Sequence, residues 1–184
     1  MRGSLDALAA LSPRLMTESE PDFGHRRITD WRFRVCGFHQ RAAHPQDWCS
    51  DHPFTRSLEE LAAHFEGLKT MEDEQQSLSL LDAMFRISQW SESSGGLPAR
   101  SDEWRHRQTA ARFVIVLTDT HCDKDFAADG AQVSACDVVN AFMNKRILVH
   151  GFSPRSDIAY ELASMDGSVW ELLTANLDGD ATRE

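Results

Sequence analysis

The stretch "ARFVIVLTDTHCDKDF", Ala111 to Phe126, runs through apolar and β-branched residues and then stops at Asp119 among side chains able to hold a ligand. The continuous run "FVIVLT" predicts a central strand buried on both faces, as parallel strands are. In open α/β sheets the crevice outside the C-terminal ends of the strands receives the ligand, and "TDTHCD" falls at such an end.

Downstream, "SACDVVNAFMNKR" predicts a helix opened by a capping box of Ser134 and Asp137, and "ILVHGF" predicts a second buried strand. Ser156 caps a helix over "DIAYELASMD", Gly167 stops it, and "SVWELL" closes the series as a last strand. Strands alternating with helices predict an α/β fold: a three-layer Rossmann-like sandwich with a mostly parallel sheet, right-handed crossovers and helices on both faces.

Upstream, Ser4 can cap a short helix carrying Leu5, Leu8, Leu11 and Leu15, which Pro13 bends or breaks. "DWRFRVCGF" alternates and predicts a strand near a sheet edge, with Trp31, Phe33, Val35 and Gly37 on one face, followed by a long loop to Pro53. "SLEELAAHFEGLKT" opens with Ser57 and Glu60 as a capping box and sets Leu58, Leu61, Phe65 and Leu68 along one helical face. A second helix runs through "LSLLDAMFRISQW", and "SESSGGLPARSDEW" is loop.

The whole chain of 184 residues, 41% hydrophobic, is long enough for one substantial core. Nineteen Lys+Arg against 29 Asp+Glu give a net charge of -10, which disfavours nucleic acid and anionic membranes as partners. No apolar run reaches the roughly 18 residues that span a bilayer, and "MRGSLDALAA" lacks the pattern of a secretory signal. The four cysteines show no C-x-x-C spacing and are too sparse for a disulfide scaffold, so they read as reduced and the chain as cytoplasmic.

From Asp30 onward, the succession "WRFRVCGF", "PFTRSLEELAAHFEGL", "SLSLLDAMFRI", "RFVIVLTDTHCD", "RILVHGF" and "IAYELASMDGSVWELL" resembles a von Willebrand factor A-type domain. Its most specific piece is "RFVIVLTD", because in that family the strand ends in a Thr-Asp whose carboxylate joins a metal-ion-dependent adhesion site. The resemblance therefore implies a single domain over 1–184 that acts as a non-enzymatic protein-interaction module, with Asp119 as a ligand to Mg2+ or Ca2+. Ser77 is the best match for the family's middle-loop threonine, and Thr70 a poorer one.

The family's Asp-x-Ser-x-Ser is missing upstream of the first helix, so the adhesion site is expected to be degenerate. "MRGSLDALAAL" resembles the sequence that follows that motif, which implies a domain N-terminally truncated relative to the family, open to a homo-oligomer or a strand-donating partner. Around the same crevice Thr120, His121, Asp123 and Trp48 are the candidates for partner contact. Residues 174–184 read as a flexible tail.

Two other constellations carry chemistry. "CGFHQRAAHPQDWCSDH" contains zinc donors in Cys36, His39, His44, Cys49 and His52, although at irregular spacing. A metal-dependent hydrolase or nuclease could use Asp119, His121 and Asp123, while Cys122 beside His121 does not by itself make an activated thiol.

Overall fold

The computed structural model describes residues 30–39, 46–69, 77–118, 121–122, 127–128, 131–132 and 134–172. The helix expected after Ser4 and the expected tail lie outside the described residues. The chain packs as two compact units, one formed by Met1–Gln75 with Gln89–Ala110, the other by Gln76–Ser88 with Ala111–Glu184. Among the described residues no helix is long and apolar enough to cross a membrane.

In the first unit, β1 (Cys36–Phe38) and β2 (Cys49–Asp51) form an antiparallel hairpin in which Cys36 pairs with Asp51, Gly37 with Ser50 and Phe38 with Cys49. The strand expected from Asp30 shortens to β1 and an isolated bridge between Phe33 and Thr55, and β2 lies in what reads as loop. "CSD" has little β propensity of its own; its pairing with β1 holds it extended.

Helix α1 (Leu58–Lys69) follows. The Ser57 hydroxyl accepts from the Glu60 N–H at 3.2 Å, which is one half of the expected capping box. The Glu60 carboxylate instead takes the Thr55 hydroxyl, and Thr55 Oγ1 accepts from the Ser57 N–H at 2.9 Å. Buried Val35, Trp48, Leu61 and Trp104 anchor this unit. The Phe54 ring lies 5.9 Å from Trp90 and 5.0 Å from Trp104, aromatic packing that adds to the area buried. The Arg34 guanidinium stacks 3.6 Å over Trp90 while Nε bonds the Asp51 carboxylate at 2.9 Å.

The second unit is built on a parallel sheet of β4 (Arg112–Leu117), β8 (Ile147–Ser153) and β9 (Val169–Leu172), in the order β4-β8-β9. Two short pairs accompany it: β3 (Ser77–Leu78) parallel with β5 (His121–Cys122), and β6 (Ala127–Ala128) antiparallel with β7 (Ala131–Gln132). Helix α2 (Leu80–Gln89) buries Leu80, Leu81, Ala83, Met84 and Ile87.

Helix α3 (Ala135–Lys145) starts at the full Ser134 and Asp137 capping box, and α4 (Asp157–Ala163) starts at Ser156, whose hydroxyl accepts from the Ala159 N–H. The chain leaves α3 through Arg146 in the left-handed conformation, φ 53. Buried Arg112 donates to the Lys145 carbonyl at 2.9 Å, placing a cation at the negative end of the helix. Helix α3 packs on β8, α4 packs on β9, and the two helices touch. Val138, Phe142 and Leu162 are fully buried, each worth about 1.5–3 kcal/mol relative to exposure.

The sheet differs from expectation in one respect. Successive residues of β8 alternate between buried and more accessible, with Ile147, Val149, Gly151 and Ser153 inward. On the opposite face Phe113 is 49% exposed, Ile115 47%, Leu148 41% and Val169 53%. "FVIVLT" is thus not buried on both faces. The reason is topological: a run of right-handed crossovers that adds strands in one direction lays its helices on one face, and covering the other requires the strand order to reverse. The observed order β4-β8-β9 contains no reversal.

Candidate functional site

At the C-terminal end of β4 the chain stays tied to the sheet through the Thr118 N–H, which donates to the Phe152 carbonyl at 3.0 Å. Thr118 is buried, as is Ser153 at the matching end of β8. Ser153 Oγ accepts from Trp170 Nε1 at 2.8 Å and donates to the Pro154 carbonyl at 3.0 Å. The ends of β4 and β8 therefore carry buried polar residues.

Asp119, Thr120, Asp123 and Thr70 lie outside the described residues. The backbone of Ser77 pairs directly with that of His121, and Leu78 with Cys122. That register brings the start of α2 beside the segment two residues beyond Asp119, although the two are distant in sequence. Trp48, expected beside this crevice, is 8% exposed and belongs to the packing of the first unit.

Two of the five candidate zinc donors, both cysteines, come together. Cys36 and Cys49 bring their sulfurs to 3.5 Å across the hairpin. His52 stacks on His64 of α1 with ring centroids 4.1 Å apart, and its Nε2 lies 3.4 Å from Ser50 Oγ. Burial, then the neighbouring His64, lower the His52 pKa, with Asp51 opposing. His44 is outside the described residues, and among the described residues no group of three or more His, Cys, Asp or Glu is arranged to hold a metal ion.

A further surface went unread in the sequence, the open face of the parallel sheet. His150 stacks on Phe152 at 4.6 Å and meets Phe113 edge-on at 6.4 Å. Its Nε2 lies 3.0 Å from Glu171 Oε1 on β9. Phe113, Ile115, Leu148 and Val169 surround this polar pair. Its signal was the placement of His150 and Glu171 within apolar runs, at positions that a strand buried on both faces would not leave to polar side chains. A scan against models of known protein families gives no match to this chain, and a search of curated proteins gives none either.

Proposed function

We propose that this chain is a non-enzymatic protein-interaction module of the von Willebrand factor A type, whose parallel sheet is completed by a partner protein. The supporting observation is the open apolar sheet face, with Phe113 and Ile115 of β4 about half exposed beside Leu148 and Val169. Parallel sheets are covered by helices on both faces, so the occupant that fits is an amphipathic helix of the partner, its apolar stripe across β4 and β8. This would supply the second helical layer of a three-layer Rossmann-like sandwich. The His150 and Glu171 pair gives that helix a polar mark by which to fix its register.

In the same reading Asp119 and Ser77 are the remnant of an adhesion site, hard oxygen donors of the kind that suit Mg2+ or Ca2+. Binding through the sheet face does not, in this reading, depend on an ion.

The test compares wild-type, Ile115→Asp and Asp119→Ala baits, with and without chelator, by quantitative affinity capture. Native mass spectrometry of the purified chain asks separately whether a second copy is the partner. The expected outcome is a partner whose recovery falls at least about tenfold with Ile115→Asp and withstands both chelation and Asp119→Ala. Equal recovery by the Ile115→Asp bait would sink the sheet-face reading, and loss on chelation would return the ion site to the centre of the function.

A further inference from the structure

The register of the hairpin sorts its side chains onto two faces, because residues opposite each other across a pair of strands point the same way. Gly37 and Ser50 share one face. Leu68 of α1 lies so close over Gly37 that a Cβ there would overlap Leu68 Cδ2, and His52, two residues beyond Ser50, stacks on His64 of the same helix. Helix α1 therefore covers that face. Cys36, Phe38, Cys49 and Asp51 occupy the other, where both cysteines are half-buried rather than enclosed.

On that face the Cys36 and Cys49 sulfurs lie 3.5 Å apart. A disulfide requires about 2.05 Å, so the two strands already hold the thiols close to bonding distance. We propose that Cys36 and Cys49 form a dithiol–disulfide modification site, oxidised by a low-molecular-weight disulfide of the glutathione class. The thiolate of one cysteine attacks a sulfur of the small disulfide, forming a mixed disulfide and releasing one small thiolate. The thiolate of the second cysteine then attacks the protein sulfur of that mixed disulfide, forming the Cys36–Cys49 bond and expelling the second small thiolate. The protein pair is oxidised by two electrons, the small disulfide is reduced to two thiols, and the two thiol protons pass to solvent or to those products.

The second step is intramolecular, and the hairpin register favours it over a lasting mixed disulfide. Cys136 provides the internal comparison. It is exposed on α3, where Asn140 donates to its sulfur at 3.5 Å. Oxidation there should stop at the mixed disulfide.

The sequence suits a direct test, because Arg41 separates the two cysteines into tryptic peptides 35–41 and 42–56. The full chain, reduced and desalted, is equilibrated with graded ratios of oxidised to reduced glutathione, alkylated, digested and read by mass spectrometry. The expected product is a covalently linked pair of these peptides, lighter than their sum by two hydrogens and absent after reduction. Cys136 should be glutathionylated under the same conditions, and in Cys36→Ser the Cys49 peptide should carry glutathione instead of the link. The proposal is overturned if the wild-type peptides 35–41 and 42–56 carry separate glutathione adducts. It is equally overturned if both cysteines remain alkylated at ratios that modify Cys136.

Discussion

His52 shows how a single side chain can tie stability to acidity. Its imidazole is stacked on His64, and burial together with that neighbour holds its pKa below the ordinary histidine value. A depressed folded-state pKa means that the unfolded chain takes up the proton first. Stability is therefore full above the ordinary value of about 6.5 and is lost as the pH falls below it, until the folded-state pKa is passed. The thermal midpoint should fall as the pH is lowered from about 7 to about 5, and His52→Phe, which keeps a ring against His64 without the charge, should flatten that slope. Parallel pH profiles for the two proteins would rule this out. Neither this pair nor the two thiols was legible in the sequence. His64 lies twelve positions after His52 and Cys49 thirteen after Cys36, and strand register and helix packing, rather than spacing, bring them together.

Single elements were most legible where their causes are local. The Ser134 and Asp137 box and the Ser156 cap rest on hydrogen bonds within one turn, and both stand where the sequence put them. The Ser57 and Glu60 box was read with the same rule and is only half made, because Thr55, paired to Phe33 across the unit, competes for the Glu60 carboxylate. Strand β4 was recognised, but the covering of its faces was not, since burial depends on what lies above a strand and not on the strand. Strand β8 has a stricter local requirement. Gly151 pairs with Trp170, and a Cβ at position 151 would overlap the indole ring. Gly151→Ala should therefore cost about 2 kcal/mol through overpacking, and Trp170→Leu in the same chain should recover part of it. Equal denaturant midpoints for wild type and Gly151→Ala would contradict this packing.

For the molecule as a whole, alternation of strands and helices was enough to read a mixed α/β chain with a parallel sheet, because hydrophobic period and caps carry that information. The site was less legible. Ser77 was chosen as a ligand through the family resemblance; the structure gives only its backbone pairing with His121. The division into two units left no mark in composition that the sequence reading detected. One consequence concerns the order in which the structure opens. Strand β8 is hydrogen-bonded on both sides, to β4 and to β9, while β4 and β9 each have one strand neighbour among the described residues. In deuterated solvent the β8 amides should be the last of the sheet to exchange, with β4 and β9 losing protection first. Breathing at those flanks would then open a path to solvent or to an incoming chain while β8 keeps the memory of the fold.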